Sequence, residues 1–126
     1  MPRRSSETSE RESARADDAF LEALTALDEA LADNQQRVKL IKRRIGQLRR
    51  MRANGASYAD IVSSAHGPLL VQLLTESSAA LDRSGASVRR AEAQALYAEG
   101  LTMDRIAEHF GVSRQRVSAL LRKVPR

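Results

Sequence analysis

The sequence predicts an all-α protein with a long N-terminal heptad helix, a short helical middle region and two short C-terminal helices joined by a tight turn. Three observations predict this architecture. Apolar residues in the first half recur at alternating spacings of three and four, which is the helical period. Glycines, and Ser or Thr residues, stand where helices would end and begin. Hydrophobic residues make up 42% of the chain but aromatic residues only 3%, so the helices must bury Leu, Ile, Val and Ala.

Four segments are expected along the chain. Residues 1–15 are rich in Ser, Glu and Arg without apolar periodicity, which predicts a disordered tail. The remaining segments are a heptad helix at 16–54, a helical linker or core region at 55–85, and a C-terminal domain at 86–126.

The first helix carries a heptad pattern that predicts pairing with a second helix. Asn34 occupies the one polar step of an otherwise apolar series. Like charges would meet across a parallel, in-register pair, whereas an antiparallel pair lets Asp28 meet Lys42 of its partner. An ordinary amphipathic helix within a bundle, or a hairpin bent at Asp33 and Asn34, remains open. The predicted dimerisation residues are Phe20, Leu24, Leu27, Leu31, Asn34, Val38, Ile41, Ile45 and Leu48.

The middle region shows signals for two further helices. Gly55 is typical of a helix end, and Ser57 of an N-cap with Asp60 three residues on. Pro68 suits the first position of a Leu-rich helix, which Gly85 is expected to end. This region can be aligned weakly with the C-terminal segment, so a degenerate copy of that motif remains open.

The C-terminal segment holds three predicted helices. The first, at 87–99, is expected to begin at a Ser87 cap and to end at Gly100. Caps at Thr102 and Ser113 start the next two helices, and Gly111 permits the sharp turn between them through a positive φ. Inward positions are predicted for Val88, Ala91, Ala95, Leu96, Ile106, Ala107, Phe110, Val112, Val117 and Leu120.

Charge is distributed unevenly along the 126 residues, although the formal net charge is only +5. Residues 1–34 hold nine acidic and four basic side chains, and residues 35–52 hold eight basic and no acidic ones. Residues 53–110 are acidic on balance, and residues 111–126 hold five basic side chains and no acidic ones. Net charge alone supports a nucleic-acid partner weakly. The two separate basic blocks favour a partner whose binding requires contact with both blocks.

Composition excludes several classes of site. The chain has no Cys and two isolated histidines, so neither a disulfide, a metal site nor a cofactor is predicted. No stretch is apolar enough to span a membrane, and the N-terminus lacks a signal-peptide core, so a cytoplasmic protein without a membrane partner is expected. Paired carboxylates, a phosphate loop and a nucleophile elbow are missing from the sequence, and no catalytic residue or enzymatic activity is predicted.

The stretch "GLTMDRIAEHFGVSRQRVSALLR" resembles the trihelical helix-turn-helix of bacterial regulators. It is especially similar to the DNA-binding segments of serine recombinases and of sigma factors, where a turn and helix start of the "GVSR-x-R-V" type recurs. The resemblance covers residues 87–123, and nothing in residues 1–86 matches a recombinase catalytic domain or the other sigma-factor regions.

The resemblance implies that the last helix enters the major groove of double-stranded DNA with its N-terminal end. Arg114 then suits guanine and Gln115 suits adenine, while Arg116, Arg122 and Lys123 suit phosphates. The helix starts at Thr102 and Ser113 would offer backbone N–H groups to phosphates. The full predicted set is Thr102, Ser113, Arg114, Gln115, Arg116, Ser118, Ala119, Arg122 and Lys123.

The predicted function is sequence-specific DNA binding by a homodimeric bacterial transcription regulator at the nucleoid. Two alternatives remain. One is a protein-interaction module, such as a sigma-like adaptor of RNA polymerase, and the other is a less specific nucleoid-associated DNA binder.

Overall fold

The structure is a computed structural model that describes residues 2–64 and 67–122, with side chains from residue 6 onward. All regular structure in these residues is helical, which confirms the all-α prediction. The helices are α1 (Pro2–Ala53), α2 (Tyr58–Ser63), α3 (Leu70–Ala98), α4 (Met103–Phe110) and α5 (Arg114–Leu121). None of the described helices has an apolar stretch long enough to cross a membrane.

Helix α1 is longer than the sequence indicated. It spans 52 residues from Pro2, so residues 2–15 are helical where a disordered tail was predicted. Apolar periodicity indicates which face a helix buries, and among residues 6–15 every side chain except that of Ser13 is exposed. Proline suits the first turn of a helix, and no glycine interrupts the chain before Gly46. The helix ends at Ala53, and Gly55 has a φ of 90°, as its position predicted.

The predicted dimerisation residues on α1 divide into two sets that alternate along the helix. Leu24, Leu31, Val38 and Ile45 lie seven residues apart and are 36–43% exposed; we call these four the exposed stripe. The other set, also at intervals of seven, is half-buried within the chain. Its members are Phe20, Leu27, Asn34, Ile41 and Leu48.

Helix α3 is continuous where the sequence predicted two helices. It runs from Leu70 to Ala98 through Gly85, so Gly85 does not end a helix and Ser87 is not an N-cap. A glycine inside a helix costs about 1 kcal/mol relative to alanine, which the packing of a 29-residue helix can offset. At its start, the Leu69 N–H donates to Gln72 Oε1 at 2.8 Å.

The chain divides into two compact units that differ from the predicted segments. Unit 1 comprises residues 1–27 and 84–126, and unit 2 comprises residues 28–83. Each unit therefore takes part of α1 and part of α3. In unit 2, the predicted Ser57 cap accepts a hydrogen bond from the Asp60 N–H at 3.1 Å, and the Arg44 guanidinium donates to the Pro68 carbonyl at 3.0 Å.

Candidate nucleic-acid interface

A small apolar core holds α4 and α5 against the end of α3 in unit 1. Ala93, Ile106 and Val117 are fully buried in this core. Complete burial of a side chain such as Ile or Val contributes roughly 1.5–3 kcal/mol. Ala107 and Leu120 complete the buried set, and Leu96, Leu101, Met103, Phe110 and Leu121 pack against it.

Most inward positions agree with the prediction, and two differ. Ala93 is fully buried although it was not among the predicted inward positions; its spacing of three before Leu96 was the available signal. Val112 was expected to fill the turn but is 38% exposed. Ile106 and Val117 are fully buried although Val112 does not cover them.

The turn between α4 and α5 has the predicted geometry. Gly111 has φ 65° and ψ 35°, a left-handed conformation that favours glycine. The N–H groups of Gly111 and Val112 donate to the Glu108 and Ala107 carbonyls at 3.3 and 3.1 Å. These bonds satisfy carbonyls at the end of α4 that would otherwise lack a partner.

Hydroxyl caps start both helices of the motif. The Thr102 side chain accepts from the Arg105 N–H at 3.2 Å, and the Ser113 side chain accepts from the Arg116 N–H at 3.1 Å. Each cap satisfies one donor of the first turn. The Ser113 cap sets the point at which α5 begins and hence which residues form its first turn.

The first turn of α5 presents polar side chains to solvent. Arg114, Gln115 and Arg116 are exposed there, and no acidic residue lies in that turn. Ser118 and Ala119 are half-buried, and Arg122 is exposed at the other end of the helix. The predicted contact residue Lys123 lies outside the described residues.

Two exposed ion pairs lie on the surface of this motif. The Arg114 Nε atom is 3.8 Å from an Asp104 carboxylate oxygen, and Arg105 NH1 is 3.3 Å from a Glu108 oxygen. Solvent-exposed pairs of this kind are typically worth about 0–1 kcal/mol. The Arg114 side chain can therefore leave Asp104 at small cost when a stronger partner approaches.

Arg90 supports the C-terminal end of α5, a role that was not predicted from the sequence. Its NH1 atom donates to the Leu120 carbonyl at 3.3 Å and to the Arg122 carbonyl at 3.0 Å. A cationic donor at a helix C-terminus bonds carbonyls that have no partner within the helix and suits the helix dipole. Arg90 thereby fixes α5 at the end opposite its exposed first turn.

Three helices around one core, with a left-handed glycine turn and a capped, basic last helix, define a helix-turn-helix domain. The C-terminal region is a helix-turn-helix DNA-binding domain. A family model described as a homeodomain-like domain matches residues 84–124, about a third of the chain. The matched range includes the end of α3, the whole of α4 and α5, and the core between them. Searches of curated proteins and of solved structures each returned no match.

Proposed function

We propose that the protein is a sequence-specific, double-stranded DNA-binding transcription regulator that acts at the bacterial nucleoid as a homodimer, by binding rather than by catalysis. One observation carries the proposal. The first turn of α5 presents Arg114, Gln115 and Arg116 to solvent, and a buried core together with Arg90 holds that helix in place.

In this proposal the first turn of α5 reads bases in the major groove. The Arg114 guanidinium makes a bidentate contact to guanine, and the Gln115 amide makes one to adenine. Arg116 and Arg122, with Lys123, neutralise phosphates and set the register on the duplex. Half-buried Ser118 and Ala119 lie one turn further along α5 and contact base edges at the margin of the reading surface.

The helix starts contribute a second kind of contact. The backbone N–H groups that follow Thr102 and Ser113 lie at the positive ends of α4 and α5. A phosphate oxygen is a suitable acceptor for such groups. These contacts position the domain without selecting a sequence.

Electrophoretic mobility shift over a salt series tests DNA binding. The logarithm of the association constant should fall linearly with the logarithm of salt concentration, with a slope of about −0.9 per phosphate neutralised. Binding to a duplex selected from bound genomic fragments should persist in the presence of a large excess of random competitor duplex. Equal competition by random duplex would favour the less specific, nucleoid-associated alternative.

The exposed stripe supports the homodimer. Four large apolar side chains at intervals of seven residues remain in solvent along α1, the pattern expected of a helix that pairs with another. An antiparallel pair centred near Gln35 would place Leu31 opposite the partner's Val38. The same register would place Asp28 opposite the partner's Lys42, so that unlike charges meet beside the apolar contact.

A second candidate function is docking on an acidic protein surface, such as one on RNA polymerase. The observation that favours it is the set of basic side chains exposed on α1 in unit 2, outside the DNA-binding domain. The exposed members are Lys39, Lys42, Arg43, Arg49, Arg50 and Arg52. A chain that does not shift duplex DNA at low salt but co-sediments with RNA polymerase would favour this candidate.

A further inference from the structure

Unit 2 contains an apolar groove that neither DNA reading nor the exposed stripe uses. It has a volume of about 700 Å³, within the range of about 300–1,000 Å³ that is typical of small-molecule sites. Three segments line it: the end of α1, helix α2 and the start of α3. The apolar lining residues are Leu48, Met51, Tyr58, Ile61, Val62, Leu69, Leu70 and Val71.

The lining combines a buried floor with walls that remain in solvent. Ile61 is 4% exposed, whereas Tyr58, Val62 and Val71 are 57–71% exposed. Large apolar side chains gathered around a concave surface mark a binding site more often than scattered ones do. Met51 in the wall is unbranched and flexible, so it can adapt to the shape of an apolar occupant.

The charge of the groove is positive. Its lining contains Arg50 and the polar side chains of Gln47, Asn54 and Ser64, but no Asp or Glu among the described residues. Arg44 also lines the groove and bridges its walls through its hydrogen bond to the Pro68 carbonyl. Arg50 is exposed, and its guanidinium makes no hydrogen bond or ion pair within the part of the chain that the structure describes.

We propose that this groove binds a free amphiphilic anion, a long-chain carboxylate, with its hydrocarbon chain along the apolar walls and its head group at Arg50. A charge-assisted bond from a guanidinium to a carboxylate is stronger than a neutral hydrogen bond. The hydrocarbon covers the exposed walls, and each methylene that it buries removes apolar surface from water. An occupant without charge would leave Arg50 unused, and a cationic one would be repelled by Arg44 and Arg50.

Isothermal titration of the full-length protein with dodecanoate, below its micellar concentration, tests the proposal. Saturable binding at one site per chain is expected, and dodecyltrimethylammonium should not bind. Arg50→Glu should weaken dodecanoate binding by about tenfold or more. Arg43→Glu is the matched control, because Arg43 lies seven residues earlier on the same exposed helix face but does not line the groove; it should bind as the wild type does.

Val71→Asp provides a second variant that keeps the fold, because Val71 is among the exposed wall residues. It should abolish dodecanoate binding, whereas Leu74→Asp, one turn further along α3 and outside the groove, should not. No saturable binding to the wild type, equal binding of the cationic amphiphile, or equal losses in Arg50→Glu and Arg43→Glu would each overturn the proposal. The proposal would also be overturned if the wild type were a dimer that does not bind dodecanoate and if Val71→Asp dissociated that dimer. The groove would then be covered by a second copy of the chain.

Discussion

Arg114 forms an ion pair in the free chain and is proposed to form a base contact in the DNA complex. In the free chain its guanidinium lies 3.8 Å from the Asp104 carboxylate, and in the proposed complex it contacts a guanine. The exposed ion pair is worth about 0–1 kcal/mol, whereas a good bidentate base contact discriminates by about 1–3 kcal/mol. In the proposed complex the base contact would therefore replace the ion pair with Asp104.

Replacing Arg114 tests the assignment of the reading helix. Arg114→Ala should weaken binding to the selected duplex by about 1–3 kcal/mol and relax the preference at one base pair. Arg122→Ala, the phosphate-contact control, should weaken all duplexes about equally. Mobility shifts on a panel of duplexes with single base-pair changes measure both effects. Unchanged affinity and preference in Arg114→Ala would show that the first turn of α5 does not read DNA.

At the scale of the elements, the turn between α4 and α5 depends on backbone conformation. Gly111 has φ 65°, and a Cβ built there would meet no atom within 4 Å. The cost of Gly111→Ala is therefore conformational alone, about 1–2 kcal/mol. Gly111→Val should cost more because a β-branched side chain resists positive φ. Chemical denaturation followed by circular dichroism measures the loss of stability in each variant, since the chain has no Trp for fluorescence. Equal stability of the wild type and the valine variant would refute the turn geometry.

Because α3 is continuous through Gly85, a substitution of this glycine is expected to raise stability, in contrast to Gly111. Alanine favours a helix interior over glycine by about 0.5–1 kcal/mol, so Gly85→Ala should raise the free energy of unfolding by that amount. The new Cβ would lie 3.2 Å from Arg89 NH1, the end of a flexible side chain that can move aside. A loss of stability in Gly85→Ala would instead indicate a break in the helix at this residue.

For the whole molecule, the proposed homodimer requires that the exposed stripe of α1 contact a second chain. Leu31→Asp places a charge in the exposed stripe, and burying it between two chains without a partner is costly. We expect this variant to be monomeric and to lose tight binding to a duplex with two half-sites. Because Leu31 is exposed within one chain, the variant should keep its helical circular dichroism.

Leu40→Asp is the matched control for assembly. Leu40 is 42% exposed and Leu31 is 43% exposed, but Leu40 lies outside the exposed stripe, so its variant should remain dimeric. Sedimentation equilibrium on the order of tens of micromolar, well above a Kd of about 1 μM, distinguishes the two. A monomeric wild type, or equal behaviour of both variants, would contradict the homodimer.

Local chemistry made much of the C-terminal domain predictable from the sequence. The caps at Thr102 and Ser113, the glycine turn at Gly111 and the burial of Ile106 and Val117 were all expected. Each depends on residues within a few positions of one another, so a short stretch of sequence contains both partners of the interaction. The helix-turn-helix class of the domain was predictable for the same reason.

Features that join distant residues could be decided only by the tertiary structure. Arg90 caps the end of α5 across thirty residues of sequence, and nothing near Arg90 specifies its acceptors. Gly85 appeared to end a helix because its local preference opposes one, but the surrounding packing of α3 overrides that preference. The heptad pattern of α1 likewise predicted one apolar face, and only the folded chain determines which half of that pattern is covered within the chain and which half remains exposed.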